Sequence, residues 1–551
     1  MKKTLNVLIT SAILNVIALP VTTAYAGTDN SNKNSSQVKK NMAAFTSLDN
    51  YLEQLNQHNK FIGSIGYYQN GELQYQYASK LEQNKITSTG KTLKYRVGSI
   101  SKTFTSVMIL QLIEEGKLSL DSKLAKFYPK VANANTINIA HMLNHHSGIR
   151  SYTNDAKFME ISLSPQSSQT IINMIEAYDS AFEPGSKGEY SNSNYYLLGQ
   201  IIEKVTNQSY QDNLTSRITD KLGLKNTYYG GKIIPKNNEV NSYFWHQEQW
   251  QQAPESDMSW PHGAGALVSS TADLNRFIFA LFNGKLINQA SLNTMLTIKN
   301  DFGKGIFKYP HADGDAYGHD GAIDQFKSKL IYQPATKKSI AILSNGQQFD
   351  NNAILSAFLT AESGELVQLP NFNSIELAVA QLNKFTGKYS SDSHPLDITV
   401  FIEDKQLFAQ ADGQGAFPLT ATSEYNFTFL PAGIEINFIA DKAEFVIKQL
   451  GRADTFVRSS KLSENKIVVA NDTLQAYTGV YKNPDFPLDI SVFIENDTLM
   501  AQATGQGAFP LTATSTTAFR FAAAGIVIEF EQDKKQLTLS QGGVDTVMNK
   551  S

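Results

Sequence analysis

The 551-residue sequence predicts an α+β domain followed by two small antiparallel β-barrels. Three observations carry this. Across residues 42–366, apolar positions at helical spacing are interspersed with period-two stretches. Beyond about Leu366 the texture changes to short alternating strands bounded by turn residues. Within that tail, Gly-Gln-Gly-Ala-Phe-Pro-Leu-Thr-Ala-Thr-Ser at 413–423 recurs at 505–515, an offset of 92 residues. Pro395/Pro487, Gly433/Gly525 and Gln449/Gln541 keep that offset, so the copies align without a gap over most of their length. Two copies are too few for a solenoid and read as consecutive barrels, 382–458 and 474–551, joined by a polar, extended segment at 459–473. The Gly-Gln-Gly strings read as barrel turns.

At the start, Lys2 and Lys3 precede a mostly apolar run, and Ala24-Tyr25-Ala26 places small residues where a signal peptidase cuts, so residues 1–26 read as a secretory signal. No later stretch is apolar enough to span a bilayer. The expectation is an exported protein, periplasmic or secreted, with no membrane span after signal removal. Residues 27–41, rich in Asn, Ser and Lys, read as a disordered leader. The chain has no cysteine, which excludes disulfides and thiolate metal sites. A net charge of −3 with mixed signs argues against nucleic acid as a partner.

In order, Phe45, Leu48, Leu52 and Leu55 predict a helix over 42–58, and the alternation of 61–78 around Asn70-Gly71 predicts a β-hairpin. The run Tyr95-Arg96-Val97-Gly98-Ser99-Ile100-Ser101-Lys102 reads as a strand end, a Gly turn and the start of a long amphipathic helix that stops at Gly116. Residues 118–127 and 137–143 read as short helices. His141, His145 and His146 lack a carboxylate at metal-site spacing and lead into Ser147-Gly148, so loop and core roles are preferred to a metal site. Tyr190-Ser191-Asn192 precedes another amphipathic helix, with Asn192 its plain N-cap on local grounds. Gly263-Ala264-Gly265 and the cap at Ser270 are assigned to architecture. His319-Asp320-Gly321 precedes two strand-like runs and reads as a turn, or as a glycine that lets a substrate backbone approach a strand.

Ser99 and Lys102 stand one helical turn apart on one face. A serine hydroxyl needs a proton acceptor to become nucleophilic, and a lysine buried at the start of an apolar helix has its pKa lowered towards that task. Ser-x-x-Lys also occurs at Ser36/Lys39, Ser88/Lys91 and Ser463/Lys466, but only the Ser99 copy opens a long amphipathic helix and has partners further on.

Ser99-x-x-Lys102, Leu143-x-x-His146-Ser147-Gly148, Tyr190-Ser191-Asn192 and His319-Asp320-Gly321, in that order, resemble the serine hydrolases related to class C β-lactamases and low-molecular-mass penicillin-binding DD-peptidases. The resemblance covers about residues 41–364. It implies the penicillin-recognising fold: an antiparallel sheet with flanking helices and a helical subdomain. The tail copies are similar to the lipocalin-like barrels appended to such enzymes, and the whole layout looks most like D-aminopeptidases. The resemblance implies an acyl-enzyme on Ser99, with Lys102 as proton acceptor or as the charge that lowers the Tyr190 pKa, and Tyr190 as proton shuttle. It implies an oxyanion hole from the backbone N–H groups of Ser99 and Ala322, and substrate contacts from Asn192, His319 and Gly321. No cofactor and no metal are needed. Where β-lactamases of this group carry Lys-Thr-Gly, this chain has His319-Asp320-Gly321. That lessens the expected pull on a substrate carboxylate, and Asp320 either favours an amine-bearing substrate or points outward. The expected substrates are amide bonds in D-amino-acid peptides such as peptidoglycan stem peptides, cleaved in DD-carboxypeptidase or D-aminopeptidase fashion. The alternatives are a carboxylesterase or weak β-lactamase on the same site, or a cell-wall-binding protein whose site is vestigial.

Overall fold

A computed structural model describes residues 30–551 except 80–91, 156–157, 310–313, 349–350, 371, 373, 395, 413, 450–451, 461–468, 484–485, 487, 496–497, 505–506, 522–525, 532–534 and 542–543. The signal segment, Ser88/Lys91, Ser463/Lys466, Pro395/Pro487, Gly413, Gly505 and Gly525 lie outside the described residues. The chain divides into two units, the first ending at Pro370 and the second beginning at Asn371.

In the first unit, helix α1 (Asn30–Gln57) starts well before residue 42, so the backbone from Asn30 is helical where a disordered leader was expected. Its packed half supplies the reason: Leu48, Leu52 and Leu55 are fully buried, and a helix nucleated there propagates upstream at little cost. The hairpin forms as expected, with β1 (Phe61–Gln69) and β2 (Glu72–Ala78) joined through Asn70 and Gly71, both at positive φ. β3 (Tyr95–Arg96) leads into α2 (Ser101–Glu114), and α3 spans Asn192–Thr206. β4 (Tyr228–Tyr229) and β5 (Leu267–Ser269) flank one another beside β3 in a small antiparallel sheet. α4 (Thr271–Phe282) begins at its Ser270 cap, whose hydroxyl accepts the Asp273 N–H. β6 (Phe307–Tyr309), β7 (Ala316–Ile323), β8 (Phe326–Gln333) and β9 (Lys338–Gln347) complete a six-stranded antiparallel sheet in the order β2-β1-β9-β8-β7-β6, and α5 (Asn351–Glu362) packs against α1.

Three expectations are corrected here. His319-Asp320-Gly321 is part of β7, not a turn, because residues 317–323 pair continuously with β8. Residues 118–127 hold only a 3₁₀ turn, Leu124–Lys126, and the later helix shortens to Ile139–Leu143. Finally, α2 is not amphipathic: every residue from Ser101 to Leu112 is buried. Its polar side chains survive burial by bonding outward. Thr103 donates to the Gly305 carbonyl, Thr105 to that of Gly263, and Gln111 to that of Leu286, while Ser106 meets the Tyr195 hydroxyl.

One buried ion pair ties the Ser99 turn to the main sheet. The Arg96 guanidinium, on β3, donates to Asp324 (2.8 Å) in the β7–β8 turn and to Glu255 (2.5 Å), and also to the Ser256 and Gly231 carbonyls. Arg96 and Asp324 are each 2 % exposed.

The second unit contains the duplicated barrels. Eight strands, from Gly387–Ser390 to Arg452–Ser460, close into an antiparallel barrel. The next copy runs from Gly479–Lys482 to Val544–Lys550, and its ring has one break, at Leu511 between Phe509–Pro510 and Thr512–Ala513. Pairing follows the duplication: Ile398 opposes Ala411 as Ile490 opposes Ala503. The interiors match too, with Tyr389 and Tyr481 donating their hydroxyls to the carbonyls of Phe385 and Tyr477 at 2.8 and 2.9 Å. Of the segment at 459–473, Ser459 and Ser460 end the last strand of the first barrel, residues 461–468 lie outside the described residues, and a helix begins at Asn471.

Replacing Arg96 with alanine leaves Asp324 buried without its cation. Such a loss typically costs about 3–5 kcal/mol, so urea unfolding of Arg96→Ala is expected to show the hydrolase-domain transition displaced by that amount, with the barrel transition unmoved.

Candidate active site

The turn that carries Ser99 is shaped by a glycine. Gly98 sits at φ +50 and opens a 3₁₀ turn, Gly98–Ile100, that runs directly into α2. A Cβ at Gly98 would lie 2.8 Å from both the nitrogen and the oxygen of Ala322. On β7, a Cβ at Gly321 would collide with the Val97 carbonyl and the Ser328 hydroxyl and come within 3.1 Å of the Ser99 nitrogen. The two glycines therefore let the nucleophile turn and the sheet lie backbone against backbone, which brings the Ser99 and Ala322 peptides together.

Lys102 is fully buried on the first turn of α2. Its Nζ is 2.9 Å from Ser99 Oγ, 2.8 Å from Asn192 Oδ1 and 2.7 Å from the Ala264 carbonyl. All three neighbours are neutral oxygens, and burial drives the amine well below its ordinary pKa. Once it has given up its third proton, the amine donates two hydrogens and carries one lone pair. With Asn192 and Ala264 able only to accept, the lone pair falls to Ser99, the one partner with a proton to give.

Tyr190 is part-buried just ahead of α3, its ring centroid 4.9 Å from Lys102 Nζ. Burial pushes its phenol up, the facing Ser99 hydroxyl lowers it, and the charge of Asp320 raises it. The phenol therefore keeps its proton. Asn192 is not the cap: α3 starts at Asn192 itself, after Ser191. Its side chain is spent on the site, accepting from Lys102 and donating from Nδ2 to Thr153 Oγ1 at 2.9 Å.

His319 is buried, and its Nδ1 lies 2.5 Å from the Asp320 carbonyl, which accepts only, so Nδ1 holds the ring proton. Burial first, then the nearness of Lys102, lowers this imidazole to about 4, so it is neutral at physiological pH. Asp320 alternates outward, half-exposed, and both its oxygens accept from Lys329 on β8, at 2.6 and 2.8 Å. Its charge is spent across the strands rather than offered to a ligand.

Two participants carried no local signal. The Ala264 carbonyl holds Lys102 from the segment assigned to architecture, and a backbone oxygen leaves no mark in a sequence. His145 was expected to have a loop or core role. It is buried at φ +60, its ring 4.4 Å from that of Tyr190, and its Nδ1 accepts the Ser191 N–H at 3.1 Å, so it props the Tyr190 segment. His146 is fastened to its own loop through the Asn144 carbonyl at 2.6 Å. Among the described residues no group of three or more His, Asp or Glu is placed to hold a metal.

A family model described as Beta-lactamase matches residues 48–364 of this chain. The chain belongs to that family. It is a serine hydrolase, and the resemblance read from the motif set is borne out. Penicillin-binding protein 4* of Bacillus subtilis (strain 168) is 26% identical over 451 residues, spanning 75% of this chain and 98% of that protein. The structure is similar to a D-amino acid amidase from Ochrobactrum anthropi SV3 complexed with D-phenylalanine, at 24% identity and a TM-score of 0.50, covering 59% of this chain and 98% of the other. It is also similar to the octameric penicillin-binding protein homologue from Pyrococcus abyssi, at 22% identity and a TM-score of 0.53, covering 75% of this chain and 99% of that one. These two likenesses are of fold.

The depressed Lys102 has a pH signature with a definite sign. An unfolded lysine titrates near about 10.4, so below that value the unfolded chain takes up a proton that the folded site resists. The cost is present at pH 7 and fades as pH rises towards the unfolded value. The stability difference between wild type and Lys102→Met, measured by urea unfolding at pH 7 and 9.5, is expected to shift in favour of wild type at the higher pH. In wild type, kcat/KM on a chromogenic ester is expected to fall about tenfold per pH unit on the acid side of the Lys102 pKa, as for one essential base.

Proposed function

We propose that the hydrolase is exported and cleaves amide bonds of D-amino-acid peptides in D-aminopeptidase fashion, through an acyl-enzyme on Ser99. The carrying observation is the fully buried Lys102, its pKa lowered by burial, in hydrogen-bond contact with Ser99 Oγ. As Oγ attacks the substrate carbonyl carbon, its proton passes to the Lys102 lone pair, and the carbonyl oxygen becomes an oxyanion held by the N–H groups of Ser99 and Ala322. Collapse of the tetrahedral intermediate breaks the C–N bond. Tyr190 gives the leaving nitrogen its proton, and the proton on Lys102 restores the phenol. Water then repeats the sequence on the ester, releasing the acid and free Ser99.

The neutral His319 favours the aminopeptidase reading over the carboxypeptidase and β-lactamase ones. A carboxypeptidase must hold the free carboxylate of its substrate, and an uncharged imidazole whose Nδ1–H is already given to Asp320 offers little to a carboxylate. The D configuration is carried over from the motif resemblance. Export rests on the charged, apolar and small-residue pattern of residues 1–26, and the barrels are proposed to be lipocalin-like on their similarity to such appended domains.

The test uses protein recovered outside the cytoplasm, where an N-terminus at Gly27 is expected. D-aminoacyl anilides should turn over at least tenfold faster than their L forms, and Ser99→Ala should lose about 10³-fold or more. Turnover of short esters with no anilide cleavage would instead establish an esterase, and an undiminished Ser99→Ala rate would overturn the site. Wild type should leave penicillin intact in intact-mass spectrometry. His319→Lys, which adds a cation for the β-lactam carboxylate, should raise acylation of Ser99 about tenfold, the worth of one charge-assisted contact of about 1.4 kcal/mol.

A further inference from the structure

An open cavity whose lining includes none of Ser99, Lys102, Tyr190 and His319 lies between α3 and the segment that leads into β5. It has a volume of about 450 Å³ and is lined among others by Glu203, Tyr210, Tyr229, Asp257 and His262. That is the size of a small-molecule site. Its chemistry is one-sided. Glu203 and Asp257 bring two carboxylates, and among the described residues neither is ion-paired with a lysine or arginine. Only the His262 ring comes near Glu203, at 3.9 Å, and burial lowers that imidazole to about 4, leaving it uncharged. Arg96, which reaches the Gly231 carbonyl from behind, is already neutralised by Glu255 and Asp324.

The polar groups of the cavity are pre-arranged. Glu203 Oε1 accepts the Tyr210 N–H at 2.8 Å and Oε2 accepts Gln200 Nε2 at 2.9 Å, which uses two of about four acceptor positions on the carboxylate. Gln200 Nε2 also lies 3.0 Å from His262 Nε2, so that nitrogen accepts and Nδ1 carries the ring proton towards the Tyr229 hydroxyl at 3.2 Å. Tyr229 in turn donates to the Met258 carbonyl at 3.0 Å. The rings of Tyr210, Tyr229 and His262 lie within 5.9 Å of one another, centroid to centroid. This chain fixes the carboxylate and the aromatic walls before anything binds. Burial also holds the Glu203 carboxyl above its ordinary range, as an unneutralised group in a cavity should be.

We infer that this cavity is a binding site for a small organic ammonium ion, held by Glu203 and Asp257 beside the ring of Tyr229. Among the described residues no cluster of His, Asp or Glu is placed to hold a bare metal ion. Two carboxylates lining one pocket with the Tyr229 ring instead match an alkylated cation, which gains from charge and ring together.

Isothermal titration of the full chain with tetramethylammonium and n-propylammonium chloride, against sodium chloride at equal ionic strength, tests this. Saturable binding of at least one ammonium salt is expected, at one site, tighter than sodium. It should weaken at least tenfold in Glu203→Gln, which keeps the shape and one of the two accepted hydrogen bonds, or in Asp257→Asn. It should persist in Ser99→Ala and in enzyme acylated at Ser99. No saturable binding, sodium binding of equal strength, full affinity in both variants, or loss on acylation of Ser99 would each overturn the assignment, the last by placing the cation in the acyl site.

Discussion

The site depends on keeping one amine dry. Lys102 lies on a helix buried on every side, and its nitrogen meets three oxygens and no carboxylate. A carboxylate in that shell would hold the lysine as an ammonium and leave Ser99 without an acceptor. Instead the three oxygens come from separate places: the nucleophile turn, the start of α3 and the carbonyl of Ala264. The geometry of the reacting group is thus a property of how these elements pack and not of any one of them. Thr105 reinforces the arrangement by donating to the Gly263 carbonyl, one residue from Ala264, at 2.7 Å.

The main sheet contributes the other wall, and it does so with backbone more than with side chains. Gly98 and Gly321 are points of close approach, and the Arg96–Asp324 pair fastens the same two segments a few residues away. His319 faces this seam as a neutral ring, while its neighbour Asp320 is turned across to Lys329. Alternation along a strand is enough to separate a functional position from a structural one in adjacent residues.

What could be read in the sequence divides along physical lines. Ser99 and Lys102 were legible from their spacing at the start of a helix, Tyr190 and His319 from the ordered motif set that resembles a family, and the fold gathers all four. The barrels were legible because a 92-residue offset repeats the Gly-Gln-Gly-Ala-Phe-Pro-Leu-Thr-Ala-Thr-Ser string and the strand alternation around it. The oxygen of Ala264 was not, since any residue has one. The character of α2 was misjudged because Thr103, Thr105, Ser106 and Gln111 look like a solvent face, and their partners lie far along the chain. The strand through His319 was hidden by Gly318 and Gly321, which suggest a turn until a neighbouring backbone is seen to need their missing side chains. His145 gave no hint of its part because a ring that props another ring is chemically indistinct from one filling a core.

The duplication also bears on how the second unit reaches its native state. Every strand of one barrel has a near copy 92 residues away in the same chain, so partly folded copies offer each other pairing partners of the correct register. Misassembly by strand exchange is a characteristic failure of tandem repeats. The interiors are not identical, however. Phe445 and Phe456 stack on each other at 5.1 Å in the first barrel, and the second has Leu537 and Met548 in their places. An exchanged strand would bring the wrong volumes into a close-packed interior. The mismatch penalises hybrid barrels and so favours each copy closing on itself.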